Sequence, residues 1–170
     1  LDTKPGTPGA LDNAAGVAAL LGLAGVVREI PRDRIVEIAL LSGEDHYAAP
    51  GQVRYLRDPG TANVRMVVNC DGVGLAGSPI GVATMGASAA LERAVTTLRA
   101  SHPSIEALPP WPQGDHMPFV AAGVPALAMT STRIFEEIER RVHTPADTVE
   151  GVDPATVAAT VRFVAEALRL

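Results

Sequence analysis

Three short apolar runs constrain the fold most: Ile35-Val36-Glu37-Ile38-Ala39-Leu40-Leu41, Val64-Arg65-Met66-Val67-Val68-Asn69, and residues 124–129. Strands that are nearly continuous in apolar character, rather than alternating, are buried on both faces, as in a parallel sheet covered by helices. The segments around them carry helical spacing. Residues 14–27 form one such segment, halted by Pro31. Residues 88–100 form a second, with Leu91, Val95 and Leu98 as its apolar stripe. Residues 154–168 form a third, with proline in the first turn and Val157, Val161, Val164 and Leu168 on one face. Shorter elements are expected at 79–84 (strand), 47–56 (helix, interrupted at Pro50-Gly51), 114–122 (helix) and 134–141 (a helical turn or two). Residues 101–113 hold four of the 14 prolines and read as a surface loop. The 170 residues, 47% hydrophobic and only 4% aromatic, suffice for one α/β domain with an Ala/Val/Leu-packed core, spanning 1–170.

Charge narrows the function. A net charge of −5 and the lack of a basic stripe argue against nucleic acid as a partner. No run reaches the roughly 18–20 apolar residues that span a bilayer, so no membrane partner is expected. Cys70 is the single cysteine, which excludes an internal disulfide and a thiolate-built zinc site. Any metal must be held by His, Asp and Glu.

Acidic and imidazole groups recur where strands and turns end. Asp12 lies in the glycine-bounded stretch Gly9-Ala10-Leu11-Asp12-Asn13-Ala14-Ala15-Gly16, ahead of the first helix. Glu44-Asp45 follow Ser42-Gly43, Asp71 follows Asn69-Cys70, and His143 stands in Val142-His143-Thr144-Pro145. Each has an ordinary explanation taken singly: a helix cap for Asp12, solvated turns for Glu44-Asp45 and Asp71, a surface histidine for His143. Together they are hard oxygen and imidazole donors at the carboxyl ends of expected strands, where open α/β sheets bind ligands. That donor set suits a hydrolytic zinc site, including one in which a carboxylate bridges two ions.

The ordered blocks Asp2, Pro8-Gly9-Ala10-Leu11-Asp12-Asn13-Ala14-Ala15-Gly16, Gly43-Glu44-Asp45, Asn69-Cys70-Asp71, Gly114-Asp115-His116-Met117-Pro118-Phe119 with Gly123-Val124-Pro125, and His143-Thr144-Pro145-Ala146-Asp147-Thr148 resemble the signature of the co-catalytic zinc aminopeptidases. These form peptidase family M28, which also holds carboxypeptidase-like and glutaminyl-cyclase-like branches. The resemblance implies a three-layer α/β/α fold of the phosphorylase/hydrolase-like kind, with a mostly parallel central sheet. It implies Asp12 as the carboxylate shared by two zinc ions, Asp45 and His143 on one ion and Asp71 on the other. It also implies Glu44 as general base and Asp2 as a residue orienting an imidazole. Asp115, His116, Met117, Phe119 and Asp147 are expected to line the pocket or support the ligands, with helix capping as the alternative for Asp115 and Asp147. Met117, Phe119, Trp111 and Val142 flank the blocks and hint at an apolar first residue in a peptide substrate; otherwise they are core.

Two departures stand out. The family's first ligand is a His two positions before Asp2, and the sequence starts one position after it. The family's earlier strands are likewise not in these residues, so the 170 residues are expected to be the C-terminal part of a longer peptidase domain. Asp45 occupies a position where Glu is more usual. Two zinc ions are expected for the complete domain and one or two here. The leading expectation is a zinc-dependent aminopeptidase. The alternatives are a single-zinc acyltransferase of the glutaminyl-cyclase kind and a non-catalytic binding domain, against which the pairing of Glu44 with Asp45 counts.

Overall fold

In the computed structural model, residues 3–30, 34–46, 50–58 and 62–170 are described. Six helices are named here in chain order: α1 (Ala15–Val26), α2 (Pro50–Leu56), α3 (Ala89–Ala100), α4 (Met117–Ala121), α5 (Ile134–Glu137) and α6 (Pro154–Ala167). The strands are β1 (Val67–Cys70), β2 (Ile80–Met85), β3 (Ile105–Ala107) and β4 (Ala126–Ser131). They form one sheet in the order β1-β4-β2-β3. β1 runs parallel to β4 and β3 parallel to β2, while β2 and β4 meet antiparallel with Ala83 opposite Ala128. Two of the three pairings are thus parallel, as expected.

β4 is buried at all six positions, because it is central and covered on both faces. Successive side chains on a strand point to opposite faces, and the two faces fill differently. Leu127, Met129, Ile80 and Val82 meet Ala19 and Leu23 of α1, Val95 of α3, and Phe163, Val164 and Ala167 of α6. On the other face Ala83, Met85 and Ala128 are covered by Leu108, Trp111, Met117 and Val120, from α4 and the segment preceding it. Helices therefore lie on both sides of the sheet. The long helices end where their sequences say they should. Ser88 accepts from Leu91 N at 3.2 Å ahead of α3, and Asp153 accepts from Ala155 N at 2.9 Å ahead of Pro154 in α6.

Three expectations need correction. Among the described residues the run 35–41 forms no strand: Ile35 is 98% exposed and Leu40 49% exposed. A doubly buried strand needs a ladder and a covering layer on each side, and the described residues supply neither around this run. Pro50-Gly51 opens α2 instead of interrupting it, since proline fits the first turn, where its missing N–H costs nothing; residues 47–49 of that expected helix lie outside the described residues. The proline-rich segment 101–113 contains β3, which extends the sheet by three residues before Pro109 stops it. Among the described residues, no helix is long and apolar enough to cross a membrane.

Candidate metal centre

The site gathers at the carboxyl ends of β1 and β4. β1 delivers Asp71, whose N–H donates to the Met129 carbonyl at 3.0 Å. The turn 44–46 delivers Glu44 and Asp45. It follows Gly43, whose φ of 98° and whose contact with the Pro50 ring leave no room for a side chain. Lys4 Nζ donates to the Asp45 carbonyl and ties this turn to the N-terminal loop.

Asp12 sits in a kinked segment, with φ −120° and ψ 90°, and is followed by a cis peptide bond to Asn13. The helix cap is not Asp12 but its neighbour. Asn13 Oδ1 accepts from Gly16 N at 3.1 Å, and its amide donates to the Cys70 carbonyl at 3.0 Å. Sequence reasoning missed Asn13, although an Asn three residues before Gly16 at the head of an apolar run is a capping signature. With Asn13 serving the helix, the Asp12 carboxylate is left to the site. Beneath it Leu11 is fully buried with Leu75, Ile134 and Val142.

His143 has a left-handed backbone, φ 61°. Its Nε2 lies 2.8 Å from Asp12 Oδ2 and 3.0 Å from Asp45 Oδ1, so three segments distant in sequence converge on one nitrogen. Donor atoms of Asp12, Asp45 and His143 all lie within 4.8 Å of one another. Tetrahedral ligands about 2.1 Å from zinc stand roughly 3.4 Å apart, so two carboxylates and an imidazole at this spacing fit a zinc ion.

The electrostatics agree with a site made for positive charge. Asp12 is raised from 3.8 to about 7, first by burial and then by the charges of Asp45, Asp147 and Glu44, against a hydrogen bond with Asp71 that lowers it. Asp71 is driven well above the ordinary carboxylate range by burial and by Asp12, Glu44, Asp115 and Asp45. Glu44 and Asp115 thus belong to the same field as Asp12 and Asp71. A cation among them reverses this penalty.

The remaining candidates occupy a surrounding layer. Asp147 is fully buried and bonded to the Asp12 segment: Leu11 N donates to its Oδ1 at 2.7 Å and Asp12 N to its Oδ2 at 3.1 Å. Asp115 accepts from the amide of Gln52, a buried residue of α2 that sequence reasoning also missed; a glutamine in a short helix carries no signal of its own. His116 is fully buried, its Nδ1 3.3 Å from Asn69 Nδ2 and its ring edge-on to Trp111 at 5.5 Å. Burial lowers its pKa, and a backbone contact to Trp111 opposes that shift. Phe119 and Val142 are each 4% exposed, Met117 packs on the sheet face, and Trp111 lies 6.1 Å from half-exposed Phe135. Asp2 lies outside the described residues.

The profile of peptidase family M28 matches residues 1–168. A comparison with curated protein sequences found no match. Among solved structures, a zinc aminopeptidase from Bacillus subtilis superposes with a TM-score of 0.81 at 24% identity, over 98% of this chain and 43% of that one. An aminopeptidase from Aneurinibacillus sp. strain AM-1 gives 0.78 at 22% identity, over 98% and 40%. A glutaminyl cyclase from Porphyromonas gingivalis gives 0.73 at 20% identity, over 98% and 68%. The chain thus spans less than half the length of the two aminopeptidases.

Proposed function

The chain belongs to peptidase family M28, and on that premise we propose that residues 1–170 form part of the catalytic domain of a zinc-dependent aminopeptidase that removes N-terminal residues from peptides. The observation that carries this reading is the convergence of Asp12, Asp45 and His143 on one point, with Glu44 beside it. In this assignment Asp12, Asp45 and His143 hold one zinc ion, and Asp12 with Asp71 serves a second. The ion supplies Lewis acidity, which lowers the pKa of water and polarises a peptide carbonyl.

The chain's own groups do the rest. Glu44 neighbours the ligand Asp45 without being one. Its carboxylate takes the proton of the attacking water and returns it to the departing amine. Asp115, held by Gln52, keeps negative charge next to Asp71. Half-exposed Phe135 and the ring of Trp111 offer an apolar surface that suits an apolar first residue.

Glu44→Gln tests the assignment. It keeps shape and removes the base, so hydrolysis of a leucine anilide should fall by at least about 100-fold while zinc content stays at the unsubstituted level. Unchanged hydrolysis would refute the role of Glu44. A second reading is a single-zinc acyltransferase of the glutaminyl-cyclase kind: Asp12, Asp45 and His143 form a donor group for one ion, and the fold is shared with the Porphyromonas gingivalis glutaminyl cyclase. Cyclisation of an N-terminal glutaminyl peptide, with one zinc per chain and no anilide hydrolysis, would decide for it. A chain that takes up no zinc and turns over neither substrate would be a binding domain.

A further inference from the structure

We infer that Asp147 is the positioning residue that locks the Asp12 and His143 arms of the metal centre into one rigid unit. The inference rests on the metal-binding reading above.

Asp147 has no exposed surface, and both of its carboxylate oxygens are committed to backbone N–H groups of the opposite arm, those of Leu11 and Asp12. Its own carbonyl accepts a third bond from Ala10 N at 3.1 Å. Three consecutive residues, Ala10 to Asp12, are therefore gripped by one. A carboxylate accepting two N–H bonds is charge-assisted and orients its partners more firmly than a neutral acceptor.

The other end of the grip is short. Asp147 follows His143 by four residues, and the span between them is bonded to itself. Asp147 N donates to the Thr144 carbonyl at 3.1 Å, Ala146 N to Thr144 Oγ1 at 3.1 Å, and Thr144 N and Oγ1 both reach the Arg141 carbonyl. A displacement of the Asp12 segment is thereby transmitted to His143 through four tied residues. The pairing of His143 Nε2 with Asp12 Oδ2 at 2.8 Å closes the loop. Asp147 also adds negative charge beside Asp12 without competing for the ion, because its oxygens are occupied.

Asp147→Asn keeps the size and one acceptor but sets an amide NH2 against a backbone N–H. The variant should bind Zn2+ about 10- to 100-fold more weakly in competition with a chromogenic chelator, and its Co2+ adduct should show a shifted d–d absorption band. A purely structural carboxylate would lower the melting temperature while leaving affinity and band position unchanged in the folded protein, and that outcome would overturn the inference.

Should the variant fail to fold, amide exchange in the unsubstituted protein decides. Coupling of the two arms requires Zn2+ to slow exchange at Leu11 and Asp12 more than at the amides of α3, whereas equal slowing would overturn it. Absence of Zn2+ binding by the unsubstituted protein would instead overturn the metal reading and this role together. Intact binding in Asp147→Asn overturns this role alone.

Discussion

Raising the pH of the metal-free protein should weaken it, contrary to the usual behaviour of proteins rich in paired carboxylates. Asp12 titrates at 3.8 when free of its surroundings and at about 7 in the fold. Between those values the folded chain holds a proton that the unfolded chain has released, so stability falls as pH rises through the window. At about 1.4 kcal/mol per pH unit, the gap corresponds to about 4 kcal/mol, of which about 2.5 kcal/mol falls between pH 5 and 7.5. Asp71, displaced in the same direction, adds to the effect. A chain of this size moves by roughly 2–4 °C for each kcal/mol, so the melting temperature should drop by about 5–10 °C over that interval. Calorimetry in the presence of a chelator measures it. Asp12→Asn removes the charge with little change of shape and should flatten the profile. Saturating Zn2+ should also flatten it, since a bound cation keeps both carboxylates ionised at little cost. A metal-free melting temperature that is level or rising from pH 5 to 7.5 would refute the reasoning, because the acidic residues would then not share one buried field.

Two further substitutions probe the local claims. Gly16→Ala places a methyl group against the Cys70 carbonyl and the Asn13 side chain, and loss of the Asn13 bonds should cost about 2 kcal/mol in denaturant unfolding; a change below about 0.5 kcal/mol would show that α1 can shift to make room. Ile35→Asn, at a position 98% exposed, should change stability by no more than about 0.5 kcal/mol, whereas a loss of several kcal/mol would restore the buried strand that the sequence suggested.

The convergence of Asp12, Asp45 and His143 was legible because each stands close to Gly, Asn or Pro where a periodic segment breaks, and such breaks are what bring distant side chains together. Asp12, Asp45 and His143 meet within hydrogen-bonding distance, although nothing local to any one of them says so. The order of the blocks along the chain carried that information. Ile35 to Leu41 misled because burial on two faces is a property of neighbours, and an apolar run cannot report whether those neighbours are there. β3 was hidden since three residues between prolines leave no periodicity to count. The roles of Gln52 and Asn69 were invisible for a related reason: their amides bond Asp115 and His116, and a supporting amide has no spacing rule. Asn13 is different, because an Asn three residues ahead of Gly16 at the head of an apolar run is a readable cap.

His143 adopts a left-handed backbone that glycine or asparagine occupies at lower cost, by about 1 kcal/mol or more. Heat resistance and chemistry therefore pull this position in opposite directions. A library sorted for survival at high temperature would enrich Gly or Asn at position 143 and discard the imidazole, while one sorted for turnover would hold it. Directed evolution of this chain needs both pressures at once, or its most robust descendants will be inert.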